Sequence, residues 1–282
     1  MPTLDLPDGR TLAYEVGGDP AGTPVLYQHG TGDSRLARHP DDGLTASLGV
    51  RLVTADRPGV GGSSHRHETR TLLGWVSDVE ALADALGVDR FVVAGHSGGG
   101  PHALAIAYQL GERVTRVGLA SPLAPFEEPG ARRLVKDREL RTLLGLHHVK
   151  FLAEAAGKAE ARRFAKDVHR FVAHCADAYP ADRTVFQDPQ LEPMFEEQFT
   201  AALAQDGAGA LDDMWAFLDW GFEPEDVHQH VELFYGDQDD VLDVEMRDLL
   251  SLRLPDCSPH TWRGAGHYAV YARWEEFLRS LV

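Results

Sequence analysis

Two hydrophobic rhythms alternate along the first 120 residues. Thr3 to Leu6 and Thr11 to Val16 are short apolar-rich runs around Asp8-Gly9, a turn dipeptide, and predict an opening β-hairpin. Pro24 to Gln28, Val50 to Ala55, Phe91 to Ala94 and Val114 to Ala120 are compact apolar runs of buried-strand type. Between them the period changes. Leu72, Val76, Val79, Leu82 and Leu86 recur at helical spacing and stop at Gly87, and Leu44 to Leu48 and Ala103 to Leu110 also read as helices. Strand–helix–strand alternation of this kind predicts an α/β fold: a mostly parallel sheet with helices on both faces.

The strand pattern then stops. From Ser121 to about Gln229 the periodicity is helical: Arg132 to Leu144, Val149 to Ala156, Ala159 to Tyr179, Met194 to Ala204 and Leu211 to Trp220. Pro180, Asp188-Pro189 and Gly207 to Gly209 punctuate this block. Strand character returns at Val231 to Tyr235 and at His260 to Trp262, with helices near Val244 to Leu252 and Trp274 to Leu281. The organisation expected is a core of residues 1–120 and 230–282, interrupted by a helical cap over 121–229.

Composition narrows the class. The chain has 282 residues, enough to bury a core without disulfides or metals. Its net charge of -17 argues against nucleic acid and anionic membranes as partners and leaves a small molecule as the expected one. Oligomeric state is not legible. Cys175 and Cys257 form no disulfide framework or zinc spacing, so neither metal nor cofactor is expected. Met1 to Arg10 lacks the basic and apolar regions of a secretory signal, and no apolar stretch reaches membrane-spanning length; the expected location is the cytoplasm.

The chemistry concentrates at Gly95-His96-Ser97-Gly98-Gly99, which fits G-x-S-x-G between a strand and a helix. Small residues are needed where a Cβ would crowd so sharp a turn, and the turn presents the serine at a helix N-terminus, where negative charge is favoured. A serine nucleophile requires a base. His267 is chosen among 14 histidines because it lies in a small-residue loop, Arg263 to Gly266, after the last strand, and satisfies the order Ser…Asp…His. His96 and His102 read as structural residues. The acid is assigned to Asp239, in Gly236-Asp237-Gln238-Asp239-Asp240 directly after a strand, with Asp237 and Asp240 as competitors. Two backbone N–H groups are expected to stabilise an oxyanion: those of Gly98 and of Thr31, in His29-Gly30-Thr31-Gly32.

His29-Gly30, Asp56 to Ser63, Gly95 to Gly99, Gly236 to Asp239 and Gly264 to His267, in this order and nearly end to end, resemble the lid-bearing branch of the α/β-hydrolase superfamily. The resemblance implies an eight-stranded sheet with one antiparallel strand and a helical cap inserted after the sixth. It also implies that Gly30 precedes an oxyanion residue and that the segment after the fourth strand shapes the floor of the site. One departure is Gly32-Asp33 where many relatives have Pro-Gly, which sets a carboxylate near the anion site.

The expected function is hydrolysis of an ester, lactone or related acyl bond of a small, largely apolar molecule through an acyl-enzyme. Alternatives are amide or aminopeptidase-like hydrolysis, carbon–carbon bond hydrolysis, and a non-hydrolytic or ligand-binding role on the same fold. An aminopeptidase needs cap carboxylates for the substrate amine; Glu192, Glu196, Glu197, Asp212 and Asp213 are the candidates. Trp215, Phe217, Trp220 and Phe222 crowd the end of the cap and are expected to contribute apolar walls to the pocket.

Overall fold

The computed structural model describes residues 1–65, 71–145 and 147–282, with the side chains of Glu139 and His147 outside the description. Eight strands form one sheet in the order β1-β2-β4-β3-β5-β6-β7-β8. They are β1 (Thr3–Asp5), β2 (Thr11–Gly18), β3 (Thr23–Gln28), β4 (Val50–Ala55), β5 (Phe91–His96), β6 (Val114–Ala120), β7 (Val231–Gly236) and β8 (Cys257–Trp262). Strand β2 alone runs against the rest of the sheet: it pairs antiparallel with both β1 and β4, whereas all pairs from β4 to β8 are parallel.

The central strands are apolar on both sides because both sides are covered. Along β3, Val25 and Tyr27 join the core on one face and Leu26 the core on the other; along β5, Val92 and Ala94 face one way and Val93 the other. The helices in the sequence of the core are α1 (Asp42–Ser47), α2 (Leu72–Ala85) and α3 (Gly99–Gln109) before the cap. Asp41 and Thr71 cap α1 and α2, each accepting from a backbone N–H in the first turn.

Between β6 and β7 every described regular element is helical: α4 (Arg138–Gly145), α5 (Lys150–Phe164), α6 (Val168–Ala178), α7 (Arg183–Phe186), α8 (Glu192–Ala202) and α9 (Ala208–Ala216), with intervening 3-10 turns. The chain closes with α10 (Glu245–Arg253), α11 (Ala269–Ala272) and α12 (Trp274–Arg279). Among the described residues no helix is long and apolar enough to cross a membrane.

Two expected helices are divided. Residues 159–179 break after Phe164, because Asp167 leaves the helix to accept from the Arg170 N–H and start α6. Residues 132–144 split into a 3-10 turn, Ala131–Leu134, and α4. Between them Val135 is extended and bridges Leu242, while the Lys136 and Asp137 N–H groups donate to the Val241 carbonyl at 2.8 and 3.1 Å. Local helix propensity gives way to a tertiary backbone pairing that lies against the loop after β7.

The sheet register brings one set of strand ends together. Gln28 pairs with Gly95, His96 with Ala120, Ala120 with Phe234, and Gly236 with Trp262. The carboxyl edge of β3, β5, β6, β7 and β8 is therefore a single rim, the place where open α/β sheets bind ligands. At that rim a Cβ on Gly95 would strike the backbone of Gly99, and one on Gly99 would strike the Gln28 carbonyl. Gly95→Ala is expected to lower stability by roughly 1–3 kcal/mol, as overpacking a fixed site does, measured by urea unfolding; an unchanged midpoint would show that this turn is not closely packed.

Candidate active site

Strand β5 delivers Ser97 into the left-handed region, at φ 52°. A non-glycine residue there is strained and is retained where the surroundings enforce it. The enforcement is visible: the Ser97 N–H donates to the Ala120 carbonyl at 2.9 Å and the Ser97 carbonyl accepts from the Gly100 N–H at 2.9 Å. Ser97 is part-exposed at the start of α3.

His267 lies in the loop after β8, 2% exposed, and its Nδ1 donates to Asp239 Oδ2 at 2.7 Å. The other oxygen of Asp239 accepts from the Val241 and Leu242 N–H groups, both at 2.8 Å. Asp239 is thus fully engaged, and its two rivals are elsewhere: Asp237 accepts from the Gly264 N–H and Asp240 from the Ala181 N–H. The His267 carbonyl accepts from His96 Nε2 at 3.0 Å, and the two rings lie 4.9 Å apart. His267 is thereby set beside the chain neighbour of Ser97. A hydrogen bond from Ser97 Oγ to His267 is not among those of the described residues.

Sequence reasoning missed Asp182. It sits in the 3-10 turn Pro180–Asp182, fully buried, and accepts from the His267 N–H at 2.7 Å and the Tyr268 N–H at 3.0 Å. Burial pushes its carboxyl up to about 7. No local pattern marks it, since its partners are backbone groups 85 and 86 residues away. Burial by itself lowers the pKa of the His267 ring, but Asp239, then Asp182 and Asp33, outweigh it and hold the imidazole above its ordinary value. Asp33 does face inward: it is 3% exposed, with Oδ2 3.9 Å from His96 Nδ1. His96 is shifted the other way, chiefly by burial, and donates from Nε2 as a neutral ring.

Thr31 and Gly98 are adjacent. A Cβ on Gly98 would strike Thr31 Oγ1 and come within 2.8 Å of Phe217 Cζ. The carbonyls just before Thr31 are held by a second residue that sequence reasoning passed over, Arg57. Its guanidinium donates to the His29 carbonyl at 2.7 Å and the Gly30 carbonyl at 2.9 Å. It also pairs with Asp213 at 2.8 Å, both side chains at 0% exposure, and Asp213 accepts from His102 Nε2 at 2.9 Å. Asp213 is therefore a buried partner of Arg57 and not a surface carboxylate of the cap. The available signal was His102, a polar side chain in Gly99 to Ala107, where every other residue is small or apolar. A buried imidazole there requires a partner.

A cavity of about 490 Å³ adjoins these groups, with Thr31, Gly32, Asp240 and Tyr268 on the core side and Lys136, Phe164, Phe171 and Tyr179 on the cap side. A second, of about 250 Å³, shares Thr31 and Gly32 and is walled by Leu140, Leu143, Leu211 and Met214. The aromatics expected to wall the pocket are placed differently. Trp220 and Phe222 pack into the core, with Phe222 stacked on Tyr108 of α3 at 5.2 Å. Trp215 is 9% exposed beneath Lys150, and none of the four lines either cavity. Only Phe217 approaches the site, at Gly98. All four side chains belong to the buried hydrophobic cluster, where leaving water favours them.

Of the other cap carboxylates, Asp212 pairs with His65 at 3.2 Å. Among the described residues, His169, Glu192 and Glu196 bring potential metal-ligand atoms within 4.8 Å of one another at the cap surface, and none of them lines the cavities at Thr31.

A family model described as "Alpha/beta hydrolase family" matches residues 26–280. A proline iminopeptidase of Xylella fastidiosa is 32% identical over 148 residues, which cover 48% of this chain and 45% of that protein. The chain thus spans less than half the length of this relative. A 2-hydroxymuconate semialdehyde hydrolase of Pseudomonas putida is 25% identical over 289 residues, covering 96% of this chain and 88% of that one. Among solved structures, an enol-lactonase from Burkholderia xenovorans superposes with a TM-score of 0.73 at 17% identity, covering 99% of this chain and 97% of that one, a likeness in fold.

The electrostatics around His267 are open to test without a substrate. Asp182→Asn should lower the pKa of the His267 ring, because it removes a buried negative charge that favours the imidazolium. NMR titration of the imidazole reads this directly; an unchanged or raised value would remove Asp182 from the balance.

Proposed function

The chain belongs to the alpha/beta hydrolase family, and from that premise we propose that it is a serine hydrolase acting on an ester or lactone bond of a small molecule. The observation that carries the reading is the hydrogen bond from His267 Nδ1 to the fully engaged Asp239, made beside a turn that holds Ser97 at positive φ. In this reading the segment 121–229 acts as a cap, and the cavity at Thr31 receives the substrate.

Ser97 Oγ attacks the acyl carbon while His267 Nε2 takes its proton. Asp239, a pure acceptor, keeps the ring proton on Nδ1 and favours the imidazolium as it forms. The carbonyl oxygen gains charge and is met by the N–H groups of Gly98 and Thr31. His267 then gives its proton to the leaving alkoxide, which departs and leaves Ser97 acylated. Water, activated by the same ring, releases the acid. The raised pKa of His267 implies that the neutral, competent base accumulates only above the ordinary imidazole value of about 6.5.

Relatives bearing the name proline iminopeptidase raise amide cleavage as a second reading. It needs a carboxylate for the substrate amine. Of the candidates, Asp213 and Asp212 are paired with Arg57 and His65; of the carboxylates lining the two cavities at Thr31, Asp137 and Asp240 accept from the Leu140 and Ala181 N–H groups and Glu160 lies 3.9 Å from Arg163. Ester cleavage makes no such demand and is preferred. Short p-nitrophenyl esters should be turned over, and proline p-nitroanilide should not. Ser97→Ala should cut ester turnover at least 10³-fold and Asp239→Asn by a comparable factor, with circular dichroism unchanged. Turnover of the anilide at or above that of the esters would favour the second reading, and full activity in Ser97→Ala would remove the first.

A further inference from the structure

The charge of this protein is unevenly placed. Residues 130–170 hold eleven of its 27 lysines and arginines, including all four lysines, and only five of its 44 acidic residues. This stretch of the cap carries a net charge of +6, while the rest of the chain carries -23. At physiological salt a charge is felt over about 8 Å, so a ligand at the cap responds to the local surface and not to the total of -17.

The imbalance falls on the approach to the site. A cavity of about 380 Å³ is lined by Arg163, Lys166 and Arg170 together with Phe164, Phe171 and His174. It shares the last three with the cavity that reaches Thr31 and Tyr268, so the two adjoin. The single carboxylate on this rim is Asp167, which accepts from the Arg170 N–H at 3.0 Å as the cap of α6. Arg163 lies over the Phe164 ring at 4.7 Å, with Glu160 at 3.9 Å. Lys166 and Arg170 have no ion pair among the described residues. Between this rim and Thr31 lie the stacked rings of Phe164 and Phe171, 4.2 Å apart. Read from the outside inward, the path is cationic, then aromatic, then Thr31, which lies beside Gly98.

We propose that the substrate carries a carboxylate at the end remote from the bond that is cleaved. Lys166 and Arg170 hold that anion, Phe164 and Phe171 cover an apolar middle, and the reacting acyl group lies at Thr31 and Gly98. This inference rests on the hydrolase reading for the reacting end and on the rim for the anion. It also qualifies what the total charge suggests: the net charge is negative, but this rim presents a local cationic seat to a single carboxylate.

The test compares p-nitrophenyl half-esters of linear dicarboxylic acids with p-nitrophenyl esters of monoacids of equal chain length. In wild type, kcat/KM for the half-ester should exceed that for the neutral ester by about tenfold at low salt, and the ratio should shrink at 0.3 M salt. In the double variant Lys166→Gln/Arg170→Gln the ratio should fall about tenfold, mainly through KM, while Arg279→Gln, on α12, should leave it unchanged. Binding of the free dicarboxylate to Ser97→Ala, by calorimetry, reads the anion seat without turnover, and the two rim substitutions should abolish it. Esters cleaved with no charge preference and no dicarboxylate bound would overturn the anion seat and leave the hydrolase reading intact. Dicarboxylate bound at the rim with no ester cleaved would uphold the seat and overturn the hydrolase reading.

Discussion

Arg57 and Asp213 are paired where neither can reach water. Such a pair is costly to bury, and removing one member typically costs about 3–5 kcal/mol because the other is left uncompensated. Here the pair joins three parts of the molecule. Arg57 follows β4, Asp213 belongs to α9 of the cap, and His102 lies on α3 behind the serine turn. Two further guanidinium N–H groups donate to the His29 and Gly30 carbonyls. The same guanidinium thus ties α9 to the loop that carries Thr31. Neighbouring contacts act in the same direction: Gln205 donates to the Ser63 carbonyl at 2.7 Å, the Gly209 N–H to the Gly59 carbonyl at 3.1 Å, and Ser34 Oγ to the Gln198 carbonyl at 3.0 Å.

On the other side of the serine turn the cap does the same for the histidine. Asp182 binds two successive N–H groups of the His267 loop, and Lys136 donates from Nζ to the Asp239 carbonyl at 2.9 Å. His267 and Asp239 are thus braced by residues of the segment 121–229 as well as by each other. Three carboxylates, Asp239, Asp182 and Asp33, act together on one buried ring. Together they outweigh burial, which by itself lowers the pKa of the ring.

The fold was legible because its signals are local and periodic. Strand runs such as Phe91 to Ala94, helical spacing from Leu72 to Leu86, and glycines at a turn without room for side chains all follow from near neighbours in sequence. The positions of Ser97, His267 and Asp239 were readable for a related reason: each follows a recognisable strand, and parallel register brings strand ends to one rim. What escaped is long-range. Asp182 acts through backbone groups in a distant loop, and Arg57 meets its partner 156 residues away. The aromatic cluster near Trp220 was misassigned because hydrophobicity alone does not say whether a ring seals a cap or faces a ligand. The helix expected over 132–144 was lost at Val135 to backbone pairing with the acid loop.

A nucleophilic role for Ser97 would account for a non-glycine residue held at positive φ. The most direct measurement is reaction with a fluorophosphonate followed by peptide mass spectrometry, which needs no knowledge of the substrate. One stoichiometric adduct per chain is expected, on Ser97, formed more slowly in Asp239→Asn and absent in Ser97→Ala. A protein that stays unlabelled while folded, or one labelled equally with and without Ser97, would contradict it.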